Sequence, residues 1–157
     1  YINIGKSRLA GVETMCKIQI NRHINVHGAY NYLYTSKDAD GVRLSSSSPH
    51  SGNIRAEYNT RIPRYATVVN LSGNIMGKKK FDVLDELEID GKKVEAYYQA
   101  KVNPYCLWDL TVSQYIMQNL RITAGITNLF DYTSDRVTFN TSTSPGRNYF
   151  IACNYTL

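Results

Sequence analysis

Apolar side chains recur at every second position through one segment of this chain after another, and only extended backbone keeps a two-residue period on a single face. Over 12–20, Val12, Thr14, Cys16, Ile18 and Ile20 fall on one side, with Glu13, Met15, Lys17 and Gln19 on the other. Over 24–34 the row Ile24, Val26, Gly28, Tyr30, Tyr32 and Tyr34 opposes Asn25, His27, Ala29, Asn31 and Leu33. Segments 54–62 and 65–75 repeat the division, setting Ile54, Ala56 and Tyr58 against Arg55, Glu57 and Asn59, then Val69, Leu71 and Ile75 against Asn70, Ser72 and Asn74. Further on, Cys106, Trp108, Leu110, Val112 and Ile116 oppose Asp109, Thr111 and Ser113, while Leu120, Ile122, Ala124 and Ile126 oppose Arg121, Thr123 and Thr127. The last segment sets Tyr149, Ile151, Cys153, Tyr155 and Leu157 against Asn148, Ala152, Asn154 and Thr156. The pattern predicts seven strands, with Val68 and Gln114 as the residues that interrupt it.

The connections between these segments alternate in length. Short turns fall near 21–23, 62–64 and 118–119, and long loops span 35–50, 77–104 and 132–146. Tight turns at one end and long loops at the other are the arrangement of an up-and-down barrel in an outer membrane. Pro49, Pro63, Pro104 and Pro145 all lie in connections or at a strand's first residue, where a missing N–H removes no ladder bond. Aromatics gather next to the long loops, at Tyr30, Tyr32, Tyr34, Tyr105, Trp108, Phe130, Tyr132 and Tyr149, with Tyr65 and Tyr155 at the other ends. Amphipathic rings collect at headgroup level, so two bands at different heights suit a membrane wall. No run approaches the 18 or so apolar residues of a membrane helix.

Charge and cysteine chemistry point nowhere else. The net charge is +5, but Lys78, Lys79 and Lys80 form the only basic run and Asp82, Asp85, Glu86 and Glu88 follow it, which argues against nucleic acid as a partner. The acidic residues lack the spacing of a calcium loop. Cys16, Cys106 and Cys153 all fall in apolar rows and lack metal-ligand spacing, so they read as small hydrophobic residues. No Ser, His and Asp grouping, phosphate loop or close carboxylate pair is present, and the expectation is a protein that is not an enzyme and holds no metal or cofactor.

Three stretches resemble TonB-dependent outer-membrane receptors. Asn3-Ile-Gly-Lys-Ser-Arg-Leu-Ala-Gly-Val-Glu13 is similar to a recurrent Asn-x-Gly…Gly-Val-Glu segment of that family. Ile126-Thr-Asn-Leu-Phe-Asp-Tyr132 resembles the Asn-Leu-Phe-Asp segment that closes the penultimate strand, and Pro145-Gly-Arg-Asn-Tyr-Phe150 the lead into the final one. Tyr149 to Leu157 looks like the signal read by the outer-membrane assembly machinery, with Leu157 where Phe is usual. The resemblance implies an all-β fold, an antiparallel transmembrane β-barrel in which residues 1–157 supply about seven C-terminal strands of a larger, 22-stranded, plugged barrel. The plug domain and earlier strands are expected to lie outside this sequence.

The function so implied is TonB-energised uptake of a scarce nutrient across the Gram-negative outer membrane: an iron chelate or siderophore, haem or cobalamin. The implied partners are that nutrient, outer-membrane lipid and lipopolysaccharide, and the TonB complex through the absent N-terminal region. Lys6 and Arg8 are expected above the hydrocarbon, near lipopolysaccharide phosphates. Ligand recognition is expected in the long loops. There His50 is the candidate for a haem-iron ligand, against a plainer role as a polar residue at the start of a strand. Tyr97, Tyr98 and Lys101 are candidates to stack on or pair with an aromatic, anionic ligand, against a loop anchored by its own aromatics. His23 and His27 are read as structural. The rivals are a passive porin or small outer-membrane barrel, and a soluble all-β binding or adhesion domain.

Overall fold

The computed structural model describes residues 8–36, 48–89, 92–117, 119–133 and 145–156, and between 80 and 100 the backbone alone. Nine strands account for most of them: β1 (Leu9–Gln19), β2 (Ile24–Thr35), β3 (His50–Asn59), β4 (Thr67–Met76), β5 (Lys79–Ile89), β6 (Lys92–Val102), β7 (Tyr105–Ile116), β8 (Leu120–Thr127) and β9 (Asn148–Tyr155). Seven form one sheet in the order β1-β2-β3-β4-β7-β8-β9, each beside its neighbour in sequence except where β4 meets β7. These are the seven segments marked by the two-residue period. The boundaries of β3 differ, since the strand begins four residues before Ile54 and ends at Asn59, ahead of the Pro63 turn.

The expected loop over 77–104 is instead a separate antiparallel hairpin of β5 and β6, each eleven residues long. Its register runs from Lys79↔Val102 to Ile89↔Lys92, which leaves only Asp90 and Gly91 to join the strands. An Asp-Gly pair between alternating segments is the strongest short-range signal for a hairpin. Phe81, Val83, Leu87 and Ile89 do alternate, but Asp85 interrupts their row and Leu84 sits among the charged positions, so the period is blurred.

By contact the chain divides into two units: Tyr1–Glu13, Asn31–Ser51 and Met76–Tyr105 form one, and Thr14–Tyr30, Gly52–Ile75 and Cys106–Leu157 the other. In neither is there an apolar core among the described residues. No described side chain is fully buried; Val102, at 9% exposure, is the one buried hydrophobic residue, whereas Ser48, Ser113, Thr123 and Asn128 are all buried. Meanwhile, on strands with a neighbour at each side, Val112 is 39% exposed beside Ser113 at 3%, and Ala124 is exposed beside buried Thr123. A soluble sheet hides its greasy row and wets its polar one. This sheet does the reverse, which suits a wall with hydrocarbon against the apolar row.

Polar residues are bonded where the rows are interrupted. Gln114, within an apolar row, accepts from Thr67 Oγ1 at 2.6 Å and donates to Tyr115 O at 3.1 Å. The misfit is thereby satisfied close to a turn rather than left bare in the apolar band. On the polar row Ser113 and Thr123 are register partners whose hydroxyls lie 2.9 Å apart, and Arg55 donates to Asn70 Oδ1 at 2.8 Å.

Two glycines receive aromatic rings from a neighbouring strand. A Cβ on Gly73 would lie 3.0 Å from three atoms of the Trp108 indole, and one on Gly125 would collide with the ring of Phe150, its direct partner in the β8–β9 register. The ring covers backbone that a glycine leaves bare, which pins register. Gly125→Ala is therefore expected to destabilise the protein by about 2 kcal/mol through overpacking. Adding Phe150→Leu should recover most of that loss in a denaturant titration, and simply additive effects of the two changes would show that the ring does not rest on the glycine.

Candidate ligand-binding site

In the first unit, the starts of β1, β3 and β5 and the ends of β2 and β4 line an open cavity of about 480 Å³. That size lies within the range of small-molecule sites. Gly11 permits the close approach of β1 to β2, since a Cβ there would meet Tyr32 O at 2.8 Å. The polar lining is Glu13, Asn31, Ser48, Ser51 and Lys79, beside the ring-bearing Tyr32. Neither Glu13 nor Lys79 forms an ion pair with another described residue, because the pair found among these residues is Arg55 with Glu57 at 3.7 Å. Most of the lining surface is apolar, with Val12, Leu33 and Met76 contributing, so the site suits a ligand with an apolar body and a few charged or polar groups. Nothing in the lining forms a nucleophile–base pair.

Of the residues expected to bind ligand, His50 lies beside this cavity, between the lining residues Ser48 and Ser51. Its carbonyl accepts from Ser48 Oγ at 2.6 Å and from Gly77 N at 2.8 Å, which fixes the chain on either side. A side chain on Gly77 would collide with that carbonyl at 2.7 Å. The His50 ring packs against Tyr32 with centroids 5.2 Å apart and planes tilted by 43°, and the cavity is lined by its neighbours Ser48 and Ser51 rather than by His50 itself. Lys101 is exposed on β6 and pairs in register with Lys80. Tyr97 and Tyr98 lie opposite Leu84 and Val83 on a strand and not in a loop; their side chains are outside the described residues. Lys6, most of 35–50 and most of 132–146 are likewise outside the described residues, while Arg8 is exposed and its N–H donates to Ser36 Oγ at 2.8 Å.

Glu13, Asn31 and Lys79 were not among the residues expected to bind ligand. The available signal was parity combined with height: Glu13 and Asn31 occupy the polar rows of adjacent strands, at the ends that face long connections. His23 has the structural role expected of it. Its Nε2 accepts from Arg22 Nε at 2.8 Å, leaving Nδ1 to donate to Asn59 O at 2.8 Å.

In the second unit the Asn-Leu-Phe-Asp and Pro-Gly-Arg segments meet. Asn128, 5% exposed and at φ 52°, takes its backbone N–H to Asp109 Oδ1 at 2.9 Å. Its amide nitrogen donates to Tyr132 O at 2.8 Å and to Pro145 O at 3.3 Å, and its Oδ1 accepts from Tyr132 N at 2.8 Å. Asp131, at φ 57°, accepts from Arg147 N at 2.7 Å, and Gly146 leaves it room, since a Cβ there would come within 3.0 Å. The guanidinium of Arg147 is pushed above its ordinary pKa, chiefly by a hydrogen bond to Tyr149. One buried asparagine thus holds both feet of the β8–β9 connection.

An antiparallel sheet with its apolar row exposed, girdled by tyrosines and bearing a cavity near its long connections, defines a stretch of transmembrane β-barrel wall. The chain belongs to the TonB-dependent receptor-like β-barrel family, whose pattern matches residues 1–129. No curated protein matches it. Solved structures share its fold. The ferripyoverdine receptor of the outer membrane of Pseudomonas aeruginosa, bound to ferripyoverdine, superimposes with a TM-score of 0.73 at 18% identity over 95% of this chain and 19% of that one. The siderophore receptor PirA from Acinetobacter baumannii gives 0.73 at 19% identity over 94% of this chain and 22% of that one. A variant of the ferric enterobactin receptor PfeA from Pseudomonas aeruginosa, in complex with enterobactin, gives 0.75 at 19% over 98% and 23%. The chain spans about a fifth of the length of these receptors.

Proposed function

We propose that this chain is part of the wall of an outer-membrane receptor that takes up a ferric siderophore with energy delivered through TonB. The observation that carries the reading is the inverted polarity inside a sheet belonging to this family: buried Ser113 and Thr123 against their exposed neighbours Val112 and Ala124. The solved relatives named above favour a siderophore over haem or cobalamin as cargo. His50 also speaks for a siderophore, because its ring is engaged with Tyr32 rather than presented to the cavity. On this reading the plug and the TonB-contacting segment belong to the rest of the protein, Arg8 lies at the height of lipopolysaccharide phosphates, and β9 carries the assembly signal. Cavity residues Glu13, Asn31 and Lys79 contact the chelate, with Tyr97, Tyr98 and Lys101 contributing from β6.

Growth of a deletion strain on single nutrient sources tests the cargo. Growth on a ferric siderophore should be lost, with growth on haem and on cobalamin retained; loss on either of the latter alone would overturn the assignment. In the intact protein, Lys79→Gln should weaken binding of the anionic chelate by roughly tenfold, the scale of one charge-assisted contact. Unchanged affinity in a fluorescence-quenching titration would remove the cavity from the site.

A further inference from the structure

The short connections of the second unit gather along one edge. Asn59 N donates to His23 O at 2.8 Å, so the β1–β2 turn lies against the end of β3. Tyr115 N bonds to Ala66 O at 2.8 Å and Met117 N to Arg64 O at 2.5 Å, which sets the β3–β4 turn against the end of β7. Thr156 N reaches Asn119 O at 2.9 Å and brings the end of β9 to the β7–β8 turn.

This edge carries charge of one sign. Arg22, Arg61 and Arg64 stand exposed in the turns, and Arg121 is exposed at the start of β8. Neither Asp nor Glu occurs in 19–23, 60–66 or 117–121. The nearest carboxylate along the chain, Glu57, faces Arg55. Arg22 touches neutral His23, and Arg121 lies 5.4 Å over the Tyr115 ring, so none of the four is paired with a described carboxylate. Beside the cations runs an exposed apolar band: Ile20, Ile62, Tyr65 and Tyr155, each more than half exposed. Arg61 and Arg64 also hold φ of 53° and 68°, a conformation in which glycine or asparagine sits with less strain.

Uncompensated guanidinium groups next to an apolar and aromatic band match the boundary between hydrocarbon and anionic headgroups. The carbon stem lies along the apolar side, and the planar fork meets phosphate oxygens two at a time. We propose that Arg22, Arg61 and Arg64 form a contact surface for acidic phospholipids in the leaflet that the short turns enter. The proposal rests on the membrane reading above and adds a lipid partner to it.

The test uses the whole protein that carries this chain, reconstituted in nanodiscs of phosphatidylethanolamine alone or mixed with phosphatidylglycerol, with retained lipids counted by native mass spectrometry. Wild type should retain phosphatidylglycerol in excess of its share of the bilayer. The triple variant Arg22→Gln, Arg61→Gln, Arg64→Gln should lose that preference by on the order of a hundredfold, about fivefold per cation. The corresponding triple lysine variant should keep much of it at low salt and lose it as salt screens the charges. No preference in wild type, or a glutamine variant as selective as wild type, overturns the proposal while leaving the membrane reading intact. Failure to insert into phosphatidylethanolamine discs overturns both.

Discussion

Leu71→Lys is expected to destabilise the protein in a bilayer by about 2–4 kcal/mol, the cost of a lysine on the lipid face near mid-membrane, whereas Ser72→Lys, one residue further along β4, should cost less than about 1 kcal/mol. The contrast follows from the two-residue period. Leu71 continues the apolar row of Val69, and Ser72 continues the polar row of Asn70, whose side chain receives Arg55. An ammonium at Leu71 faces hydrocarbon, while one at Ser72 faces polar groups. Denaturant titrations of the whole protein in lipid vesicles, followed by tryptophan fluorescence, measure both values. Equal losses would mean that the two faces do not differ in environment.

The second large effect is expected at Asn128. Asn128→Ala deletes the side-chain bonds to Tyr132 O, Pro145 O and Tyr132 N together, and places a residue with no local polar side chain at φ 52°. At about 1 kcal/mol per bond, with the strain of the positive φ added, the loss should be about 3 kcal/mol. Asn128→Asp is the sharper probe. It keeps the acceptor for Tyr132 N but forfeits both donated bonds and turns a carboxylate toward two carbonyls, so it should be no better than alanine. Protease sensitivity after residue 132 would rise in both variants. An aspartate variant as stable as wild type would show that the donated bonds do not hold the connection.

These effects sit at different levels of legibility. The Leu71 row was readable because each outward residue meets the same environment for the length of a strand, which makes the period regular. The β5–β6 hairpin was obscured because Asp85 and Leu84 blur its rows, although Asp90-Gly91 marked the turn. The family segments were visible as strings, but their physical basis was not. That Asn128 reaches Pro145 and Asp131 reaches Arg147 depends on two pieces of chain meeting in space. The cavity was hidden for the same reason: Glu13 and Asn31 share only parity and height, and Lys79 starts a strand in the segment expected to be a loop. Gln114 looked like an error in its row, and its partner Thr67, 47 positions away, explains it.

The Gly73–Trp108 and Gly125–Phe150 joints connect packing to function. Each ties a strand to its neighbour by shape rather than by a hydrophobic core, which this sheet lacks. A wall held by ladders and cross-strand rings stays rigid while its connections vary, and that allows binding residues to lie at strand ends.

Accessibility of single spin labels in the reconstituted protein, with Cys16, Cys106 and Cys153 replaced by serine, is the most direct test of the inverted sheet. Labels at Ile18, Leu71 and Ile122 should be relaxed by oxygen dissolved in the bilayer, and labels at Asn31, Arg55 and Thr111 by an aqueous nickel chelate. The opposite assignment, or nickel reaching both sets alike, would contradict a sheet that turns its greasy side chains to lipid.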